Sequence, residues 1–274
     1  MRPPSASWLC RSPQPGQSTA SNSTDSDDIT QQTYKPGKLT IATGQPAYEP
    51  WVMNDKPESG EGYEAAVAYA VADKLGFKKS DVVWTRTAFD TAIAPGAKDW
   101  DFNIQQFGIT DERKKAVDFS SSYYNDSQSV VVKKDSKFAN ATKVSDLKDA
   151  TVGVMVGTLA YDYAKANIKD DIQTFNDDAA LAQALDAGQI DALVTSTVEC
   201  VYMVQSEQVK DAKVLGRLPD SEDKSGMGIV LPKDSKLTAA VTKAVDDLNA
   251  DGTIKKLQDK WLAEYTTDLT ELTK

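Results

Sequence analysis

An apolar run closed by Lys-Asp-Ser-Lys occurs twice in this chain, and the repetition leaves few folds open. Ser129-Val-Val-Val-Lys-Lys-Asp-Ser-Lys137 returns as Gly228-Ile-Val-Leu-Pro-Lys-Asp-Ser-Lys236, each an apolar strand followed by the same turn. About one hundred residues lie between the copies, and they alternate strand and helix signals in their own right. A chain that leaves one unit, completes another and returns through an equivalent strand implies a second lobe inserted into a first. Two crossings side by side form a hinge that permits closure and little else. The boundaries expected are a disordered leader or tether at 1–37, a first lobe at 38–126 and 226–274, and a second lobe at 127–225.

Alternation sets the class within each lobe. Lys38-Leu-Thr-Ile-Ala-Thr43 reads as a strand, Tyr63 to Leu75 as a helix ended by Gly76, and Val82-Val-Trp84 as the next strand. A short helix follows at Phe89–Ile93 and stops at Pro95-Gly96. In the second lobe Thr151–Val156 and Ile190–Val194 are strands, and Asp178–Ala187 is a helix. The fold class is α/β: two lobes, each a mostly parallel sheet flanked by helices, joined by a two-strand hinge.

Composition removes most competing functions. With 41 acidic against 31 basic residues the formal charge is −10, which repels nucleic acid and anionic lipid headgroups. Histidine is absent, so the usual general base, the Ser-His and Cys-His nucleophile pairs and the commonest zinc ligand are missing. No catalytic residue, metal site or cofactor is assigned. No window reaches the ~20 apolar residues that cross a bilayer. Cys10 and Cys200 form neither a disulfide framework nor a metal site. Cys10 follows Ser7-Trp-Leu9 and is a candidate lipid anchor, although Leu9 stands where a small residue is expected; an incidental thiol is the alternative.

Ligands of open α/β sheets bind at the carboxyl ends of strands, near the switch point. Two segments of the first lobe lie there. Gly44–Trp51 carries Tyr48 and Trp51, as a pocket wall or as a lid on the core, and Gln105-Gln-Phe-Gly-Ile-Thr-Asp-Glu-Arg113 ends in an arginine. Thr110 reads as an N-cap, placing the planar Arg113 fork beside helix amides, a geometry that suits a carboxylate. The alternative is a pairing of Arg113 with Asp118 or solvent. Gln105, Gln106 and Gly108 belong to the same segment. In the second lobe Gly157-Thr158 opens a helix after a strand, and Thr195-Ser-Thr197 with Glu199 follows another.

The motifs Pro46-Ala-Tyr-Glu-Pro-Trp51, Gly62-Tyr-Glu64, Phe107-Gly-Ile-Thr-Asp-Glu-Arg113, Val117-Asp-Phe-Ser120, Val152-Gly-Val-Met-Val-Gly-Thr158, Ala187-Gly-Gln-Ile-Asp-Ala192 and Asp251-Gly-Thr-Ile-Lys255 stand in this order. Together they make residues 38–265 resemble the extracytoplasmic solute-binding proteins of amino-acid ABC importers, of the type II periplasmic-binding-protein fold. The resemblance implies a monomer outside the cytoplasm, tethered to the membrane face, whose lobes close over one amino acid and present it to a permease. It implies Arg113 and the amides of Thr158 and Leu159 for the ligand carboxylate, and Tyr48 and Trp51 for its side chain.

Two positions depart from that pattern. Gly108 replaces a common serine, and Ser196 replaces the aspartate that takes the ammonium. A buried ammonium without a counter-charge costs several kcal/mol, against the ~8 kcal/mol of micromolar binding. Either Glu199 or another acid reaches the ammonium, or the ligand is a modified, amino-acid-like carboxylate. Other functions on the same fold are a cyclohexadienyl-dehydratase-like enzyme, with Glu199 or Glu49 as general acid, and a sensory ligand-binding domain.

Overall fold

The computed structural model describes residues 28–266 and 269–274. In the first lobe β1 (Leu39–Thr43), α1 (Tyr63–Lys74), β2 (Val82–Arg86), α2 (Phe89–Ile93), β3 (Phe102–Asn103) and β4 (Val117–Tyr124) run in sequence. The chain then enters the second lobe as β5 (Gln128–Lys133), followed by β6 (Val152–Met155), α3 (Leu159–Asn167), β7 (Gln173–Phe175), α4 (Asp178–Asp186), β8 (Ala192–Ser196), α5 (Thr197–Gln205) and β9 (Ala212–Arg217). It returns as β10 (Met227–Pro232) and ends in α6 (Thr238–Ala250) and α7 (Thr253–Trp261).

Each lobe holds one five-stranded mixed sheet, ordered β2-β1-β3-β10-β4 in the first and β7-β6-β8-β5-β9 in the second. The parallel pairs are β1 with β2 and β3, and β6 with β7 and β8. The two repeat copies, β5 and β10, are the strands that enter a sheet after a crossing, and both pair antiparallel with their neighbours. Their turns match as well, with Ser136 N–H donating to Lys133 O and Ser235 N–H to Pro232 O, each at 3.1 Å.

Burial on both faces explains the continuous apolar strands. On one face of the first sheet Leu39, Ile41, Phe102 and Ile229 pack with Val67 and Val71 of α1 and Val241 and Val245 of α6. On the other Ala42 and Val230 meet Trp100 and Phe107. The second sheet puts Val130, Val152 and Val194 against Ala160 and Ala164 of α3, and Val131 and Leu193 against Leu181, Leu185 and Met203. The first turn of α1 is seated through a glycine, since Gly62 has φ 100° and a β-carbon there would stand 2.5 Å from Trp51 O.

Three expectations change at the borders. Order begins before residue 38: Ile29–Gln31 is a 3₁₀ turn, Tyr34 N–H donates to Asp101 Oδ1, and Thr33 is buried, while Cys10 lies outside the described residues. The segment after β3 does not become a helix, because Arg113–Lys115 is a single 3₁₀ turn before β4 begins. The C-terminal tail does not stay with the first lobe. Leu272 is buried in the second lobe's core, Arg217 N–H donates to Thr270 O and Val144 N–H to Thr273 O.

The two crossings, residues 125–127 and 218–226, are bonded to each other. Asn125 Nδ2 donates to Asp223 O and Asp223 N–H to Asp126 O, each at 2.8 Å.

Candidate functional site

The ends of β1, β3, β6 and β8 converge on a cavity of about 90 Å³ between the lobes. Of the residues singled out from sequence, Tyr48, Gln105, Gln106, Gly108, Arg113, Thr158, Leu159, Ser196 and Glu199 line it. Trp51 does not. It is fully buried, edge-on to Tyr124 with ring centroids 5.6 Å apart, and its indole N–H donates to Glu199 Oε2 at 3.1 Å. The second aromatic of the wall is Phe89, which stacks on Phe107 at 4.5 Å and lies 5.5 Å from the Arg113 guanidinium.

Arg113 is fixed by backbone. Its Nη1 donates to Gly108 O at 2.7 Å and its Nη2 to Gly157 O, across the lobes, at 2.8 Å. Thr110 Oγ1 accepts from Arg113 N–H at 3.1 Å, so the sequence-predicted cap exists on a turn rather than on a helix. Asp118 is taken by Lys233, and among the described residues Arg113 makes no salt bridge. Burial pushes its guanidinium below the ordinary value, with Asp162 and Asp223 pulling the other way. A guanidinium has five donors, so Arg113 retains capacity for an anion. Beside it α3 begins: Thr158 Oγ1 accepts from Tyr161 N–H at 3.2 Å, and the amides of Leu159 and Ala160, in the first turn, have no intrahelical acceptor.

Gly108 is explained by its neighbours. A β-carbon there would stand 2.5 Å from Leu159 Cδ1 and 2.9 Å from Asp223 Oδ2, so two other side chains already occupy a serine's space. Gln106 lines the cavity, but its side chain and N–H both bond to the buried Glu64 carboxyl, which also accepts from Tyr123 and is raised to about 7 by burial.

Ser196 caps α5, accepting from Glu199 N–H at 3.3 Å. A carboxylate from another segment reaches Ser196. Asp126, on the first crossing, is buried at the start of α5, where it accepts from Ser127 N–H at 2.7 Å and Val198 N–H at 3.4 Å and is hydrogen-bonded by Ser196. Burial pushes its carboxyl up to about 6 despite those donors. Thr195 also lines the cavity, whereas the Thr197 hydroxyl turns to the hinge and bonds Ser127 and Ser129.

Sequence reasoning missed Phe89, Asp126, Asp178 and Asp223. Each of the two crossings contributes an acid to the cavity lining, Asp126 from the first and Asp223 from the second. Asp178 sits in the first turn of α4 after the cap Asp177, a pattern that every acid-capped helix shares. Glu49 stands at the rim, bonded by Asn54 N–H and Tyr202 OH, and does not line the cavity.

The family described as bacterial extracellular solute-binding proteins, family 3, matches residues 39–264. The L-arginine-binding protein of Pseudomonas aeruginosa is 29% identical over 245 residues, 84% of this chain and 88% of that protein. The L-cystine-binding protein TcyJ of Escherichia coli is 30% identical over 223 residues, 80% of this chain and 81% of that protein. Among solved structures, an ancestral arginine-binding protein bound to arginine superposes with a TM-score of 0.70 at 31% identity, covering 82% of this chain and 98% of the other. An ancestral amino acid-binding protein described as a precursor of cyclohexadienyl dehydratase does so at 0.69 and 30%, covering 82% and 96%. With the match spanning nearly every element of both lobes, the chain belongs to the bacterial extracellular solute-binding proteins, family 3.

Proposed function

We propose that this protein captures one free amino acid between its lobes, outside the cytoplasm, and presents it to the permease of an ABC importer. The observation that carries the reading is Arg113: a largely enclosed guanidinium without a carboxylate partner among the described residues, beside the open amides of Leu159 and Ala160. The ligand carboxylate takes that position. Its ammonium lies near Ser196, where Asp126 supplies the charge, so a modified ligand is not needed. The moving units are 38–126 with 226–265, and 127–225 with the tail 270–274. Contacts from both to one small molecule favour the closed state. The protein acts as a monomer, and Cys10 is the candidate anchor of a tether.

The reading is one of binding without turnover. The curated relatives are named as binding proteins, and the Glu199 carboxyl, the acid an enzyme would use, is committed to Trp51 on one oxygen. A thermal-shift screen of the common amino acids, their decarboxylated amines and their N-acylated forms tests this. At least one free amino acid raises the melting temperature, its amine and N-acyl forms do not, and the compound is recovered unchanged. No shift with any amino acid, or conversion of the compound, overturns it.

A further inference from the structure

Granted amino-acid capture at this cavity, we infer that the captured amino acid carries a second positive charge on its side chain, held by Asp178 and Glu199 beside the Tyr48 ring. Charge gives the first reason. Among the described residues the lining has one guanidinium, Arg113, against four carboxylates, Asp126, Asp178, Glu199 and Asp223. An α-carboxylate engages Arg113, which also acts on Asp223, and an α-ammonium engages Asp126, which leaves the second-lobe pair Asp178 and Glu199 without a cation of its own. Buried like charges are costly unless a cation or a proton joins them.

Hydrogen bonding gives an independent second reason. Glu199 is only 4% exposed, and its Oε1 has no partner. The other unpartnered buried side-chain atoms of the lining, Gln105 Oε1 and Asp223 Oδ2, are acceptors as well. With Glu199 ionised in the complex these orphaned atoms are all acceptors, and a ligand rich in N–H donors completes them. A side chain ending in a carboxylate would add an anion, and an apolar one would leave Glu199 unsatisfied.

Position gives the third. The Tyr48 hydroxyl accepts from Ala179 N–H at 3.4 Å, in the first turn of α4, so it sits at the helix start that carries Asp178. Asp177, Asp178 and Glu199 all act on the Tyr48 hydroxyl, and Asp178 acts on Glu199. Two carboxylates in a wall shared with an aromatic side chain suit an ammonium or a guanidinium.

Isothermal titration with two matched pairs tests the inference: L-arginine against L-citrulline, and L-lysine against L-norleucine. In at least one pair the charged member binds about 30-fold or more tightly than its neutral partner. Glu199→Gln, which keeps an oxygen for Trp51, and Asp178→Asn each reduce that ratio at least about fivefold while changing the neutral partner's affinity less than about threefold. Equal affinities within both pairs, or ratios that survive both substitutions, overturn the second charge. Binding of other, neutral amino acids with none of these four overturns it too, yet leaves amino-acid capture standing. Failure of every amino acid to bind removes the capture itself.

Discussion

At position 108 the absent side chain acts on closure rather than on folding. Leu159, whose Cδ1 stands 2.5 Å from where a β-carbon would be, belongs to the opposite lobe. Gly108→Ser should therefore leave the melting temperature of the free protein nearly unchanged and weaken ligand binding by about fivefold or more, the scale of an overpacked contact. Leu159→Ala combined with Gly108→Ser should recover part of the loss in a double-mutant cycle. The buried acids make stability depend on pH with an inverted sign. Burial raises Asp126 to about 6 and Glu64 to about 7 and lifts Asp178 and Glu199 as well, so the folded state holds protons that the unfolded state, with carboxyl pKa values near 4, releases. Stability of the free protein should fall as pH rises from about 4 to about 7, seen as a higher melting temperature at pH 5 than at pH 7.5. The charged groups acting on Glu199 are Asp178, Asp126 and Glu64, all of the same sign, and among the described residues no neighbouring cation reverses the effect. The lowered acids Asp81, Asp186, Asp220 and Asp251 are exposed, and their opposite contribution lies below that window. Arg113 was legible from its place after a strand and a cap. Asp126 was not, because nothing local distinguishes a hinge acid that folds back onto a helix start from a solvated turn.

At the scale of elements, strands buried on both faces and helices ending in glycine were readable because apolar period and chain punctuation are local. The errors fell where distant contacts decide. Arg113–Lys115 has the composition of a helix start but stops after one turn, because residue 117 must already pair with Pro232 in the first sheet. The tail was assigned by sequence neighbourhood to the first lobe, yet its pairing partners are Arg217, Thr142 and Val144 of the second. This makes it a strap from α7 onto the far lobe. Leu272 is 3% exposed within that lobe's core, so Leu272→Ala should cost about 2–4 kcal/mol, measured as a lower urea midpoint with little change in slope.

For the whole molecule, the near-repeat carried the most information, since β5 and β10 are each the strand that follows a crossing. Closure is written in bonds that join the lobes around the cavity: Arg113 to Gly157 O, Trp51 to Glu199, Tyr202 to Glu49, and Ala179 N–H to the Tyr48 hydroxyl. Such bonds alone do not choose a ligand. Specificity comes from a ligand that completes them, and its affinity for the closed arrangement must exceed that for the open one by the free energy of closure. The decisive experiment is isothermal titration of the best amino acid from the thermal screen into the native protein and into Arg113→Ala. One ligand per chain should bind the native protein, and the variant, with its melting temperature preserved, should lose at least about 30-fold in affinity. Undiminished binding to a folded Arg113→Ala protein would place the ligand's carboxylate elsewhere and contradict this reading of the cavity.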